Sequence, residues 1–302
     1  MKLVTFKTIN NTTYAGVVHA ERVLPLNYPT LLELLQDPEG LDKARRLLTS
    51  DEQGLALHDI KLLTPVPNPP TVRDFYAFEQ HVAAARALRG LNVDPTWYEI
   101  PTFYFTNTSE LYGHDEPVPY PVGSHELDIE LEIACVIGRA GKDIAVDEAA
   151  GYIAGYTIMN DWSARDFQRL DMKLQLGPGK GKDFATSFGP WLVTPDELAG
   201  RRTGNGASER YDMTMLARVD GQEISRGNFK QIYYSFPQII ARASHNARLR
   251  PGDIIGSGTV GTGCLLEIGT GVHPWFQPGE TIELEIDGIG VLRNRIAIQV
   301  NK

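Results

Sequence analysis

Three carboxylates alternate along the segment LDIELEIACVIG, and their spacing is the first sign of chemistry in the chain. Side chains two residues apart on a β-strand share a face, so Asp128, Glu130 and Glu132 are predicted to lie together. Carboxylates about 7 Å apart repel one another. When they are buried, this repulsion destabilises the fold unless water or a cation binds to them. Hard divalent cations bind such oxygens. The segment therefore indicates a metal site, with a solvent-facing stripe on an edge strand as the alternative.

Two further acidic residues stand where an apolar run ends or a turn begins. Asp161 ends GYTIMND, just before the helix-like WSARDFQ, and Asp74 begins DFYAFEQH, in which His81 lies seven residues further on. Connecting segments commonly hold functional groups. Taken alone, Asp161 would serve equally well as a helix N-cap and Asp74 as a turn residue.

The elements that must position these residues are mostly strands. From residue 72 onward, short apolar runs recur, and Asp220-Gly221 and Asp287-Gly288 predict two-residue hairpins. The helical segments of this region are EQHVAAARAL, WSARDFQ and FPQIIARAS. The segment GCLLEIG is predicted to continue as strand, so the preceding G-x-G-x-x-G pattern lacks the helix of a dinucleotide site. The sequence predicts an α+β fold that is mostly β.

Residues 1–63 differ from the rest of the chain in the pattern of their predicted strands and helices. They contain short β-like runs followed by two helical patterns, LLELLQD and LDKARRLLT. The next segment, LLTPVPNPP, is too rich in proline to continue a helix or a central strand. We therefore predict a small α+β domain over residues 1–63 and a second, catalytic domain over residues 64–302.

Composition narrows the classes of partner and the compartment. The 302 residues carry a net charge of −9, which disfavours nucleic acid or an anionic membrane as a partner and favours a cation or a small molecule. No run approaches the roughly 18 apolar residues of a membrane span, and the first residues do not form a signal peptide. Cys135 and Cys264 sit in apolar stretches and are interpreted as reduced core residues. The expected location is the cytoplasm.

Five motifs occur in an order and approximate spacing that resemble the fumarylacetoacetate hydrolase superfamily. They are DFYAFEQH, LDIELE, NDWSARDFQ, GKDFATS and PGDIIGSGTVGTGCLLE. The resemblance spans residues 72–297. It implies a mixed β-roll fold for the catalytic domain and a homodimer.

The resemblance also implies a set of site residues. The divalent metal would be held by Asp74, Glu130, Glu132 and Asp161, with Lys182 and Thr186 supporting the metal and the neighbouring negative charge. The catalytic dyad would be His81 and Glu267. The substrate contacts would be Tyr76, Tyr104, Gln168 and Thr259.

This set suits cleavage of a carbon-carbon bond beside a carbonyl. Such cleavage leaves an enolate, which a metal chelating the oxygens of a 1,3-dicarbonyl or 2-oxo acid stabilises as a Lewis acid. His81 would act as general base toward water, Glu267 would fix its tautomer, and Lys182 would meet the oxyanion or the substrate carboxylate. Mg²⁺ or Mn²⁺ is the expected cofactor, with Ca²⁺ as an alternative. The sequence thus predicts a hydrolase for a diketo acid of the fumarylacetoacetate or acylpyruvate type.

Other activities stay open because the substrate-side residues depart from the animal fumarylacetoacetate enzymes. Met172 stands near the position of a substrate-binding tyrosine. The arginine that binds the distal carboxylate in those enzymes has no unambiguous counterpart, although Arg86 and Arg89 lie on the corresponding helix. The same scaffold serves oxaloacetate decarboxylation and the isomerisation or decarboxylation of 2-hydroxyhepta-2,4-diene-1,7-dioate. A structural Ca²⁺ site without enzyme activity is the remaining alternative. We prefer hydrolysis because the segment that supplies Glu267 is present.

Overall fold

Strands make up most of the regular structure in the computed structural model, which describes residues 1–50 and 52–298. The strands are Lys2–Thr8 (β1), Thr13–His19 (β2), Arg22–Leu26 (β3), Leu55–Ala56 (β4), Ile60–Leu62 (β5), Val72–Phe75 (β6), Phe103–Thr106 (β7), Leu111–Tyr112 (β8), Leu127–Asp128 (β9), Leu131–Ile137 (β10), Ile153–Asn160 (β11), Ser163–Ala164 (β12), Thr186–Val193 (β13), Arg202–Thr203 (β14), Arg210–Tyr211 (β15), Thr214–Val219 (β16), Gln222–Asn228 (β17), Ile254–Gly256 (β18), Thr281–Ile286 (β19) and Gly290–Arg295 (β20).

Helices are short and lie between the strands. The α-helices are Leu31–Gln36 (α1), Gly40–Leu47 (α2), Glu79–Ala87 (α3), Val146–Ala149 (α4), Arg165–Lys173 (α5), Phe236–Ser244 (α6) and Leu265–Ile268 (α7). Short 3₁₀ helices occupy Leu57–Asp59, Pro95–Tyr98, Ala150–Tyr152, Gly179–Gly181, Pro195–Arg201, Gly206–Ser208 and Phe229–Gln231. No helix in the described part of the chain has the length and apolar character needed to cross a membrane.

Two sheets form the frame of the molecule, and the mostly β, α+β prediction is confirmed. The larger sheet runs in the order β4-β3-β2-β1-β13-β11-β10-β18-β6-β7, with β5 beside β1 and β8 beside β13. The smaller sheet runs in the order β17-β16-β19-β20. Most neighbours are antiparallel, but β18 pairs with β6, and β13 with β8, in parallel. The larger sheet is therefore mixed, as the family resemblance implied, whereas all pairs of the smaller sheet are antiparallel.

The central strands of the larger sheet are buried along their whole length. Every residue of β10 and of β11 is buried. Such strands are covered on both faces and are expected to carry apolar side chains throughout. A charged side chain at the end of either strand is therefore held away from bulk water, and this sets the electrostatics of the site.

The first 62 residues share a sheet with the rest of the chain. Strand β1 pairs with β13 through Lys2 and Val193, so the larger sheet continues across the predicted boundary. The proline-rich segment between β5 and β6 contains neither helix nor strand, as predicted. The division of the chain at about residue 63 stays a prediction.

Three local predictions are corrected by the structure. GCLLEIG does not continue as strand: residues 265–268 form α7, because Asp128 accepts hydrogen bonds from the amides of Leu265 (2.8 Å) and Leu266 (3.0 Å). The segment LDIELE is not one strand, since it breaks between β9 and β10. The β16–β17 hairpin has the predicted two-residue loop, whereas the β19–β20 hairpin has three residues, 287–289, between its paired ends.

Candidate metal centre and catalytic dyad

Four buried carboxylates meet at one end of the central strands. They are Asp74, Glu130, Glu132 and Asp161, and one oxygen from each lies within 4.8 Å of the others. All four residues are at most 6% exposed. The structure thus brings together the four side chains that the family resemblance implied, although their role as metal ligands stays a prediction.

Strand register explains this convergence. Asp74 on β6 lies beside Gly256 on β18, and Gly256 in turn lies beside Ala134 on β10. A Cβ atom at Gly256 would come within 2.5 Å of Asp74 Oδ1, so only glycine leaves room for this carboxylate. Asp161 directly follows β11, whose last residue pairs with the first residue of β10. Non-local pairing, rather than proximity in sequence, assembles the cluster.

Hydrogen bonds hold the carboxylates in place. Asp74 Oδ1 accepts from the amide of Gly258 at 3.1 Å. The Tyr104 hydroxyl lies 3.0 Å from Asp74 Oδ2 and also contacts the Asp161 carboxylate. Thr259 Oγ1 donates to Glu132 Oε1 at 3.4 Å. Tyr104 and Thr259, which were predicted as substrate contacts, therefore touch the carboxylates themselves.

Lys182 lies inside the cluster. Its Nζ is 2.6 Å from Glu130 Oε2 and 2.6 Å from Asp161 Oδ2. Burial alone would lower the pKa of this ammonium group, but the adjacent Asp161 and Glu130 carboxylates outweigh burial and raise it. Lys182 and Arg165, which also binds Glu130 at 2.8 Å, supply two positive charges against four carboxylates, so negative charge would stay uncompensated if all four ionised.

The electrostatics show that the cluster lacks enough positive charge to ionise fully. Burial and the neighbouring Asp161 raise the pKa of Asp74 to about 7. Burial and Asp74 raise the pKa of Glu132 well above its usual range, and burial also raises that of Asp161. For Glu130, burial is outweighed by Lys182 and Arg165, which lower its pKa.

Two oxygen atoms of the cluster identify where a cation would fit. Glu132 Oε2 and Asp161 Oδ1 are buried and have no hydrogen-bond partner among the described residues. A buried polar atom without a partner destabilises the fold unless a bound ion or water molecule interacts with it. Because the donors are all carboxylate oxygens, the site suits a hard ion such as Mg²⁺, Mn²⁺ or Ca²⁺.

His81 and Glu267 form a second constellation. His81 lies on α3 and its Nδ1 is hydrogen-bonded to Oε1 of Glu267, which lies on α7. The other carboxylate oxygen of Glu267 accepts from the amide of Thr262 at 3.0 Å. The ring of Tyr76 packs edge-on against the imidazole, with centroids 5.3 Å apart. The predicted dyad is formed, and its catalytic role stays a prediction.

The remaining predicted residues lie nearby. Gln168 accepts a hydrogen bond from Arg165 at 2.9 Å, and so takes part in the support of Glu130. Thr186 is buried at the start of β13, where its amide donates to the carbonyl of Glu110. Their predicted roles as substrate contact and metal support are not tested by these contacts.

Sequence reasoning missed one residue that supports the site and gave another a different role. Arg165 is almost fully buried and binds both Asp128 and Glu130 at 2.8 Å. Asp128 was grouped with Glu130 and Glu132 by strand alternation, but the break between β9 and β10 turns it toward Arg165 and α7 instead. An arginine four residues after the candidate ligand Asp161 was the available signal.

Comparison with known proteins identifies the family. Residues 71–297 match the family model described as fumarylacetoacetate (FAA) hydrolase, C-terminal. The chain belongs to the fumarylacetoacetate hydrolase family. The resemblance inferred from the five motifs is confirmed, and the motifs fall within the matched region.

Named relatives of this family member differ in activity. A fumarylacetoacetase from Arabidopsis thaliana is 33% identical over 262 residues, covering 71% of this chain and 62% of the relative. An oxaloacetate tautomerase, fahd2, from Xenopus laevis is 29% identical over 283 residues, covering 90% of this chain and 79% of the relative. The chain thus spans less than two thirds of the length of the Arabidopsis protein.

Solved structures share the fold over nearly the whole chain. A 5-carboxymethyl-2-hydroxymuconate delta-isomerase from Mycobacterium smegmatis has a TM-score of 0.71 and 25% identity, covering 99% of this chain and 100% of that one. A maleylpyruvate hydrolase from Sphingobium sp. SYK-6, solved with manganese(II) ion and pyruvate, has a TM-score of 0.72 and 23% identity, with 98% and 99% covered.

Proposed function

We propose that this family member is a metal-dependent hydrolase that cleaves a carbon-carbon bond in a 1,3-diketo acid of the acylpyruvate or fumarylacetoacetate type. The observation that carries the proposal is the pairing of a buried, oxygen-only cluster with a hydrogen-bonded His–Glu dyad. The two lie close enough that a positive charge on His81 would lower the pKa of Glu130. One centre would bind the diketo oxygens and the other would activate water.

The metal ligands in this proposal are the four clustered carboxylates. Mg²⁺ or Mn²⁺ bound there would supply Lewis-acid stabilisation to the enolate that bond cleavage leaves. Mn²⁺ is a sensible first metal to test, since the maleylpyruvate hydrolase of the same fold was solved with manganese(II) and pyruvate. The partnerless oxygens of Glu132 and Asp161 support the presence of a cation.

His81 acts in this proposal as the base that activates water. The hydrogen bond to Glu267 places the imidazole proton on Nδ1, which leaves the lone pair on Nε2 free to accept a proton from water. Glu267 then stabilises the imidazolium that forms. The backbone amide of Thr262 fixes Glu267 from the other side, so the imidazole keeps its orientation during turnover.

Lys182 is the residue proposed to stabilise negative charge on the substrate. Its buried ammonium group carries a fixed positive charge beside Glu130 and Asp161. With a cation held by those carboxylates, Lys182 would stabilise the oxyanion formed by water attack or bind the substrate carboxylate. Tyr76, packed on His81, and Gln168, beside Arg165, would border the same space.

Isomerisation or tautomerisation of a 2-oxo acid is the second candidate. Its support is the oxaloacetate tautomerase relative, which covers more of this chain than the fumarylacetoacetase does. These reactions also pass through an enolate, but they need proton transfer to carbon and no attack by water. Decarboxylation of oxaloacetate would use the same enolate.

The test is a substrate panel assayed with the metal-depleted chain before and after addition of Mg²⁺ or Mn²⁺. Acylpyruvates, fumarylacetoacetate and oxaloacetate are followed both for loss of the enol absorbance and for release of pyruvate, fumarate or CO₂. We expect carbon-carbon cleavage that requires the metal and is abolished in His81→Asn. Enol loss without a cleaved product would favour tautomerisation, and metal-dependent melting without turnover on any substrate would favour a structural cation site.

We further propose that the protein acts as a homodimer, as the family resemblance implied, and, as a separate proposal, that it works in the cytoplasm. The segment 78–100, which contains α3 and His81, is proposed to order over bound substrate. Unchanged protease sensitivity of this segment when oxalate and Mg²⁺ are added would contradict that role.

A further inference from the structure

A sulfur atom lies beside the proposed dyad. Cys264 directly precedes α7, and its Sγ is 3.7 Å from Oε1 of Glu267. Taking one atom each from His81, Cys264 and Glu267, the three possible ligand atoms lie within 4.8 Å of one another. The mechanism proposed above assigns roles to the imidazole and the carboxylate but none to the thiol of Cys264.

The donor chemistry of this trio differs from that of the carboxylate cluster. It offers one nitrogen, one sulfur and one oxygen, which is the ligand set that Zn²⁺ favours, whereas Mg²⁺ and Mn²⁺ prefer oxygen alone. Three protein ligands would leave a fourth position for water. The side chains of His81 and Glu267 are at most 7% exposed, so an ion bound there would be largely shielded from solvent.

Neighbouring hydrogen bonds already orient the trio. The amide of Thr262 holds the second oxygen of Glu267 at 3.0 Å, which leaves Oε1 directed at the imidazole and the thiol. Asp128 fixes the first turn of α7 through the amides of Leu265 and Leu266. Two of the three ligands are thereby carried on one anchored turn.

We propose that His81, Cys264 and Glu267 form a second metal site, selective for Zn²⁺ over Mg²⁺ and Mn²⁺, whose occupation switches the enzyme off. On binding, the thiol proton of Cys264 is released to solvent and the imidazole proton moves from Nδ1 to Nε2. Nδ1, the sulfur and a carboxylate oxygen then bind the ion. No oxidation or reduction is involved. The inhibitory consequence rests on the proposed function, because it requires His81 to be the base, whereas binding does not.

Co²⁺ provides a test of binding that needs no activity. A thiolate bound to Co²⁺ gives an intense near-ultraviolet charge-transfer band, and carboxylate ligands give none. The full chain is saturated with Mg²⁺, which holds the carboxylate cluster, and is then titrated with Co²⁺. We expect the band in the wild type and in Cys135→Ser, and its loss in Cys264→Ser; Zn²⁺ should displace the Co²⁺ and remove the band.

Cys135 is the matched control because it is the other cysteine of the chain and is buried on β10. Melting curves of both serine variants verify folding before titration, and His81→Asn serves as a second ligand variant if Cys264→Ser does not fold. A band that persists in Cys264→Ser, or no band in the folded wild type, would overturn the site.

The inhibitory part is tested on the Mg²⁺-loaded enzyme. Zn²⁺ should lower turnover, and Cys264→Ser should raise the Zn²⁺ concentration needed for half-inhibition by about tenfold or more relative to its own uninhibited rate. Equal inhibition of both proteins would refute the switch. If no substrate is turned over at all, the proposed function fails, while the Co²⁺ band still decides whether the metal site exists.

Discussion

Glu132 shows at the scale of one residue how a cation site is prepared inside a protein. Its carboxylate is completely buried, accepts only a long hydrogen bond from Thr259 on one oxygen, and has no partner on the other within the described structure. Burial and Asp74 raise its pKa well above the usual range. Burial therefore favours the protonated form of this side chain in the metal-free protein, and a cation that binds there must displace the proton.

Glu132→Gln should therefore weaken metal binding without changing the stability of the metal-free protein. Glutamine has the shape and neutrality of the protonated acid, so we expect little change in the melting temperature of the metal-free protein at pH 7. The rise in melting temperature on adding Mn²⁺ should be largely lost, since the neutral amide lacks the negative charge with which the carboxylate binds a divalent cation.

Thermal melting with chelator and with excess Mn²⁺ provides the measurement. Glu21→Gln, at an exposed position in the turn between β2 and β3, is the control for loss of a negative charge. A full Mn²⁺ response in the Glu132 variant would rule out this residue as a ligand.

Asp74 makes stability depend on pH. Its pKa is raised from 3.8 to about 7 in the folded protein, by burial first and by Asp161 second. A raised pKa means that the folded state holds this proton more tightly than the unfolded state. The metal-free protein should therefore lose stability as the pH rises from about 4 to about 7, by up to about 1.4 kcal/mol per pH unit for one proton.

Above pH 7 that loss is complete, and a bound cation should reverse it by neutralising the ionised carboxylate. We expect the rise in melting temperature caused by Mn²⁺ to be larger at pH 8 than at pH 6. Parallel melting curves at several pH values, with and without chelator, measure this difference. A Mn²⁺ response that is constant or shrinks with rising pH would contradict the assignment of Asp74.

At the scale of elements, Asp128 joins the metal centre to the dyad. Its carboxylate binds Arg165, which also reaches Glu130, and it caps the first turn of α7, which carries Glu267. The short helix has only four residues and would have little stability of its own. The buried pair therefore fixes the distance between the two halves of the proposed active site.

Asp128→Asn should destabilise the protein by about 3–5 kcal/mol, because it leaves the buried Arg165 with one fewer counter-charge. The matched control lies two residues earlier: Glu126→Gln breaks an ion pair with Arg169, whose side chain is 57% exposed, and should cost at most about 1 kcal/mol. Urea unfolding measures both. Similar losses in the two variants would show that burial of the Asp128 pair does not matter.

At the scale of the whole molecule, the continuous larger sheet couples the N-terminal residues to the site. Strand β1 pairs with β13, and Leu3, Leu31 and Leu34 belong to the same buried cluster as Val136 and Leu192. Removing residues 1–62 would expose an edge of β13 together with this apolar surface. The predicted small domain thus shares both hydrogen bonds and core with the catalytic region.

We therefore expect the chain to unfold in a single cooperative transition. Differential scanning calorimetry should give a calorimetric enthalpy equal to the van't Hoff enthalpy, and Mn²⁺ should shift the whole transition. Two resolved transitions, of which Mn²⁺ moves only one, would show instead that the first 63 residues fold as an independent domain.

The sequence by itself determined the class of fold, the helices α3, α5 and α6, and the family, because these depend on local periodicity and on motifs in a fixed order. It also supplied the candidate ligands. It misjudged α7, since the capping carboxylate of Asp128 lies 137 residues away along the chain from Leu265. A helix of one turn has no periodic signal of its own.

The tertiary structure alone decided which acidic residues meet. Alternation along LDIELE favoured Asp128 as much as Glu130, but the break between β9 and β10 sends Asp128 to Arg165 and α7. The position of Lys182 among the carboxylates and of Cys264 beside the dyad likewise depends on contacts between distant segments. Register across the central strands sets these distances, and register is a property of the paired chain that no single segment contains.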